Sequence, residues 1–238
     1  FSVSHCHAGL PGSGCTAGGT PGGSEGWNAT AEGGARLVGT HHTDRMRLVS
    51  VQPYIENVNQ FGAHLVLDQG YLCIAIGDRE LPARAQDLST DLGKIVRLRE
   101  DGSIPGDNPF AHTAGALPEI WSLGHRNPHG LAIDARTGEL WEHEHGPRGG
   151  DEINIIRPGR NYGWPVITYG IEYSGKPVGA GLTKRDGLEQ PVHYYVPSIA
   201  PTGMAFYTSL GFPKWRSNIF LGSLAYRHLN RIVLQGAR

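Results

Sequence analysis

The chain has 238 residues, 39% of them hydrophobic, enough to bury a sizeable core in one globular unit. Its 21 basic and 22 acidic residues nearly cancel, so no long-range field draws it to a phosphate backbone or an anionic membrane, which argues against nucleic acid as a partner. No apolar run reaches the roughly 18 to 20 residues of a membrane span, residues 1–35 lack a basic stretch followed by an apolar one, and the chain reads as soluble with no membrane span.

Near the start, Cys6 and Cys15 leave two readings open: a disulfide across a Gly-rich loop, suited to an oxidising compartment, or two unpaired thiols. Cys73 reads as a core residue, and the three cysteines have no metal-ligand spacing. Residues 7–35 are rich in Gly, Ser and Thr with little apolar periodicity, which predicts a long loop. Short alternating or apolar segments then recur at Met46–Val51, His64–Leu67, Tyr71–Ile76, Lys94–Arg99, Gly130–Ile133, Leu140–Glu144, Glu152–Ile156, Gly203–Tyr207, Asn218–Ser223 and Arg231–Leu234. None carries the period of an amphipathic helix. Between them lie turn signals such as Asp68-Gln69-Gly70, Asp101-Gly102, Asp134 to Gly138 and Arg157-Pro158-Gly159. The 35 glycines and 16 prolines are spread along the chain as frequent turns would be. The pattern predicts an all-β fold in a single domain over residues 1–238.

The most informative stretch begins at Ile120-Trp121-Ser122-Leu123-Gly124-His125-Arg126-Asn127-Pro128-His129-Gly130-Leu131. It continues through Glu144-His145-Gly146-Pro147-Arg148-Gly149-Gly150-Asp151-Glu152-Ile153-Asn154 to Asn161-Tyr162-Gly163-Trp164-Pro165. In this order and spacing the three motifs resemble the glucose/sorbosone dehydrogenase family, most closely its soluble aldose sugar dehydrogenases. Support extends through Gly93-Lys94-Ile95-Val96-Arg97, Asp107-Asn108-Pro109-Phe110 and Pro197-Ser198-Ile199-Ala200-Pro201, so the resemblance covers about residues 36–235. It implies a six-bladed β-propeller of four-stranded antiparallel sheets. A blade takes about 40 to 50 residues, so this length holds about four to five blades. An open ring exposes strand edges that natural propellers avoid, so the expectation is an incomplete propeller with sequence missing on both sides.

The resemblance also implies chemistry: oxidation of the anomeric carbon of an aldose sugar to a lactone, with calcium-bound pyrroloquinoline quinone (PQQ) as cofactor and an external electron acceptor. The residues can be read beside it. Arg126 and Asn127 in a Gly/Pro-framed loop present a fixed cation and an amide that suit a developing oxyanion; the alternative is an arginine that satisfies buried loop carbonyls. Gly146-Pro147 offers two backbone carbonyls of the kind calcium takes, though such a dipeptide is also an ordinary turn. By resemblance, Arg126, Asn127, His145, Gly146 and Pro147 meet the cofactor and its calcium. Glu152, with the carbonyl of Tyr162, belongs to a second, structural calcium site; read alone, Asp151-Glu152 is a solvated acidic turn. Asp78 follows an apolar strand, where a carboxylate can orient a catalytic histidine or bind the substrate, and the resemblance implies that it buttresses the general base. Related enzymes act outside the cytoplasm, so a periplasmic or secreted location is expected.

Two positions depart from the family. The catalytic histidine opens a segment His-Phe-Gly-Gly-Arg-Leu, whereas here it reads Gln60-Phe61-Gly62-Ala63-His64-Leu65. Glutamine accepts no proton at neutral pH. If the segment is a strand, positions 60 and 64 share a face roughly 13 Å apart, too far for His64 to take over. At Ser223-Leu224-Ala225 a basic residue that meets the cofactor's carboxylates is replaced by alanine, and Arg227 is the candidate to compensate. Among the histidines, His41, His42, His143 and His145 invite a metal reading, yet His41 and His42 read as surface residues of a polar turn. The rival to a quinoprotein dehydrogenase is a catalytically impaired propeller that binds a sugar or a protein. A hydrolase lacks a Gly-x-Ser-x-Gly elbow.

Overall fold

The computed structural model describes residues 2–7, 30–38, 41–53, 55 and 59–234. Among them, strands form four antiparallel sheets in chain order. The first holds β1 (Ser2–His7), β2 (Thr30–Val38) and β3 (His41–Ser50); the second β4 (Ala63–Asp68), β5 (Tyr71–Ile76), β6 (Lys94–Arg99) and β7 (Ile120–Leu123). The third holds β8 (Pro128–Ile133), β9 (Leu140–Glu144), β10 (Asp151–Ile156) and β11 (His193–Tyr195); the fourth β12 (Pro201–Phe206), β13 (Ile219–Ser223) and β14 (His228–Ile232).

Local chemistry accounts for these meanders. Asp68 pairs with Tyr71, leaving Gln69 and Gly70 as a two-residue loop in which both hold positive φ (49° and 80°), the mirror-image turn that matches strand twist. Strand β9, Leu-Trp-Glu-His-Glu, is buried on both faces because the sheet on either side covers it. Leu140 packs with Ala75, Ile95, Leu131, Ile156 and Tyr162 in the gap toward the β4–β7 sheet. Trp141 packs with Ile153, Ile155, Ile199, Ile219 and Leu221 in the gap toward the β12–β14 sheet. A third cluster, with Val51, Leu72, Ile74 and Val96, fills the space beside the first sheet.

Neighbouring sheets thus pack face to face, and the leading strand β8 lies against both β4 and β12. This is the arrangement of propeller blades, and the four sheets match the expected partial β-propeller. Trp141 is 1% exposed and meets Phe206 edge-on. Trp141→Ala is therefore expected to cost about 3–5 kcal/mol in urea unfolding, and a loss below about 1 kcal/mol would remove this ring from the core.

Several expectations need correction. His7 closes β1 and residues 30–35 lie in β2, where a loop over 7–35 was expected; residues 8–29, with Cys15 and hence the Cys6–Cys15 pairing, lie outside the described residues. His41 and His42 open β3 instead of forming a turn. The segment from Gln60 is not a strand: β4 begins at Ala63 and Gln60 has φ +56°, so the same-face argument for positions 60 and 64 does not hold. Strands β7 and β11 have only four and three residues, too short for a period to register in sequence. Cys73 is half-buried, and burial pushes its thiol up to about 12.

Candidate functional site

Three turns converge at one end of the sheets. The exit of β5 is tied to the Gln60 segment by Gly77 N–H donating to Gly62 O (2.9 Å), and to the β7–β8 loop by Asp78 N–H donating to Arg126 O (2.8 Å). Close packing leaves no room for side chains at two of these contacts: a Cβ on Gly62 would strike the Pro128 carbonyl, and one on Gly77 the Gln60 carbonyl. The Asn127 Oδ1 accepts from Gly62 N–H at 2.8 Å. In the third turn, Asp151 accepts from Gly146 N–H (2.9 Å), Ile199 N–H (2.8 Å) and Ala200 N–H (2.9 Å), which draws the β9–β10 turn and residues 198–200 together.

Gln60, Asp78 and Arg126 consequently meet. With its amide oriented by the surrounding donors and acceptors, Gln60 donates to Asp78 Oδ1 and accepts from Arg126 Nη2 at 3.1 Å. Asp78 also accepts from Trp164 Nε1 (2.7 Å) and Glu80 N–H (2.9 Å). Arg126 Nη1 donates to the carbonyls of His145 (3.0 Å) and Gly146 (2.7 Å), while its Nε is buried without a partner. The arginine thus satisfies loop carbonyls, and one of its donors stays buried and unmatched. Each carbonyl has two lone pairs, so the contact leaves Gly146 O able to accept again.

A cavity of about 380 Å³ opens here, lined by Gln60, Arg126, Asn127, His145, Gly146 and Pro147, with Asn59, Glu80 and Tyr173 among its other walls. Its volume falls within the usual range for a cofactor-sized ligand. Arg227, by contrast, is exposed in the β13–β14 turn and lies outside this lining.

Beneath the cavity lies a layer of acid. Residues 142 and 144 share one face of β9, and 152 and 154 the paired face of β10, so Glu142, Glu144, Glu152 and Asn154 meet inside the gap toward the β4–β7 sheet. Glu144 Oε2 accepts from the backbone N–H groups of Arg126 and Asn127, tying this layer to the cavity floor. Glu142 Oε1 and Asn154 Oδ1 are buried without partners. Burial, reinforced by the neighbouring Glu144 carboxylate, pushes Glu142 and Glu152 well above the usual carboxylate range. His125, Glu142 and Glu144 offer ligand atoms within 4.8 Å of one another. A pocket the size of a single ion or water, about 10 Å³, touches Glu144, Glu152 and Tyr162. In the sequence, Glu142 and Glu144 alternate on the predicted strand Leu140–Glu144, the spacing that puts both carboxylates on one face.

Ser122 Oγ lies 2.9 Å from His125 Nε2, and His125 Nδ1 3.7 Å from Glu144, the order of a hydrolytic triad. Ser122 and His125 have no exposed surface, so no substrate reaches them. His143 is buried, contacts Gly203 O at 3.2 Å, and is pushed down to about 3 by burial. His145 stacks on His129 at 4.1 Å and donates from Nε2 to Pro201 O at 2.7 Å.

Burial raises Asp78 to about 6 against the opposing hydrogen bonds of Trp164 and Glu80. The folded state therefore holds this proton more tightly than the unfolded chain, and the contribution of Asp78 to stability is fully present below about pH 4 and lost by about pH 6. A shift of two units corresponds to about 3 kcal/mol. Urea unfolding across this range is expected to move in favour of Asp78→Asn, relative to the unaltered chain, by about that amount as pH rises. A difference that does not change with pH would remove the linkage.

Fold and site together define a partial propeller with a polar cavity, walled by Arg126 and Glu80, over a buried acidic layer. The sequence profile of the Glucose / Sorbosone dehydrogenase family matches residues 19–238, and the chain belongs to that family. Aldose sugar dehydrogenase YliI of Escherichia coli (strain K12) is 47% identical over 206 residues, 85% of this chain and 56% of the relative. The crystal structure of the soluble aldose sugar dehydrogenase from Escherichia coli in the apo form superimposes with a TM-score of 0.86 at 45% identity, over 90% of this chain and 63% of that one. The PQQ-bound aldose sugar dehydrogenase of Streptomyces coelicolor gives a TM-score of 0.65 at 26% identity, over 88% and 56% of the two chains. The chain thus spans little more than half the length of the curated relative.

Proposed function

We propose that this chain carries the cofactor-binding half of a quinoprotein oxidoreductase that oxidises the anomeric carbon of aldose sugars to lactones with calcium-bound PQQ. The supporting observation is the convergence of Gln60, Arg126, Asn127, Gly146 and Pro147 on one cavity, with the buried Asp78 bonded to Gln60 behind its wall. The donor set fits such a ligand: the guanidinium of Arg126 and the amide of Asn127 in the cavity wall suit carbonyl and carboxylate oxygens, and backbone carbonyls suit calcium. Bound there, the metal-held quinone supplies the two-electron acceptor that amino-acid side chains lack.

The chain's own groups have separate tasks. Arg126 and Asn127 hold and polarise a carbonyl oxygen, and Gly146 and Pro147 supply carbonyls to calcium. Trp164 keeps the Asp78 carboxylate turned toward residue 60. Glu152 and the Tyr162 carbonyl, with Glu142 and Glu144 beside them, take a second calcium that neutralises the acidic layer. Arg227 meets the cofactor only if the β13–β14 turn moves inward. Reoxidation uses an external acceptor, and the site of action is periplasmic or secreted, in line with the absence of any helix long and apolar enough to cross a membrane among the described residues.

One observation favours a second reading. An amide occupies the base position and is already bonded to Asp78 and Arg126, which suits a catalytically impaired propeller that binds sugar or protein. Calorimetry with PQQ, with and without calcium, separates the two. Calcium-dependent binding at micromolar concentration or tighter supports the dehydrogenase, and no binding supports the binding module. Dye reduction with several aldoses then tests turnover.

A further inference from the structure

Gln60, Arg79 and Glu80 hold φ of 56°, 57° and 61°, a left-handed region that residues with a Cβ rarely adopt. Such conformations persist where the surroundings enforce them. Here the β5 exit turn and the segment before β4 enforce each other. Arg79 Nη1 donates to Gln60 O (2.9 Å), its guanidinium lies over the Phe61 ring (4.0 Å), and Asn59 Nδ2 donates to Glu80 Oε1 (2.9 Å). Arg79 is only 2% exposed. A buried cation needs a return on its desolvation, and besides the neighbouring Asp78 carboxylate this one has the Gln60 carbonyl and the Phe61 ring, the two residues that set the direction of side chain 60.

We propose that Arg79 is a positioning residue, which clamps the backbone of residue 60 so that its side chain stays between Asp78 and Arg126 at the cavity wall. The planar guanidinium suits the task because its edge reaches the Gln60 carbonyl while its face covers Phe61, a combination an ammonium does not offer. The inference deepens the reading of residue 60 as the group facing the reacting sugar, and its functional weight rests on that reading.

The test uses the full chain without cofactor. Arg79→Asn keeps a residue that tolerates positive φ and removes the guanidinium. In that variant the Gly77 amide is expected to exchange hydrogen at least about tenfold faster, because its bond to Gly62 O depends on the clamp, with amides of β9 unchanged. The ¹⁵N signals of the Gln60 side-chain amide move to the position of a free amide, and Arg79→Lys recovers only part of both effects. Unchanged Gln60 signals and Gly77 exchange in folded Arg79→Asn overturn the proposal. If that variant does not fold, Phe61→Leu withdraws the ring alone, and the same readouts apply with a change of about threefold. In the Gln60→His background, adding Arg79→Asn is expected to lower kcat about tenfold with quinone affinity unchanged. Equal loss of kcat, affinity and melting temperature overturns the positioning role. The exchange and NMR readouts need no quinone, so a chain that passes them but binds no PQQ defeats the proposed function and leaves the clamp standing.

Discussion

Gln60→His, reconstituted with PQQ and calcium in the full chain, is expected to raise dye-linked aldose oxidation by about a hundred- to ten-thousand-fold, the usual worth of a positioned general base. The geometry is already built for it. Gln60 donates to Asp78, whose other oxygen is held by Trp164 at 2.7 Å. An imidazole in the same place can donate one N–H to Asp78, which fixes its tautomer and leaves the other nitrogen free to take a proton from a bound hydroxyl. Glutamine fills the same space and makes the same bond but cannot accept that proton. Gln60→Asn controls for loss of the contact and should gain nothing. If the unaltered chain already turns over aldoses and Gln60→His changes neither kcat nor its pH profile, residue 60 is not where the base belongs.

The second large effect concerns the acidic layer. Glu142, Glu144 and Glu152 are 0%, 4% and 8% exposed, and the His125 ring lies 3.7 Å from Glu144. Burying several carboxylates without compensation is costly enough that they must take protons or a cation. Calcium at about 100 times its dissociation constant is expected to stabilise the fold by about 2.7 kcal/mol. For a chain of this size that is a rise of about 5–10 °C in melting temperature, reversed by a chelator. Glu142→Gln and Glu152→Gln should each shrink the calcium response, because each removes an anionic ligand, and should raise stability in chelator increasingly as pH rises, because burial holds these carboxyls protonated and their ionisation costs folding energy. A melting temperature indifferent to calcium in the unaltered chain, at neutral pH, would end the assignment of a structural cation here.

Much of the fold was legible because antiparallel strands are local objects. Tyr71–Ile76, Lys94–Arg99 and Leu140–Glu144 are strands with the bounds their sequences predict. The turn at Gln69-Gly70 likewise follows from the residues that tolerate positive φ. The site was legible only in part. Its motifs named the loops carrying Arg126 and Gly146, but the partners of those residues come from other segments: Trp164 reaches Asp78 across 86 positions, and Asn127 reaches Gly62 across 65.

By itself the sequence determined the strand-turn-strand repeat and the near-zero net charge, since each depends on residue type and short-range order alone. Only the tertiary structure decided that Glu142, Glu144 and Glu152 share one buried layer, that Arg79 grips the Gln60 turn, and that Arg227 faces solvent. Those relations are set by how neighbouring sheets face one another and how the turns at their ends interlock, and packing between distant segments leaves no period in a single chain.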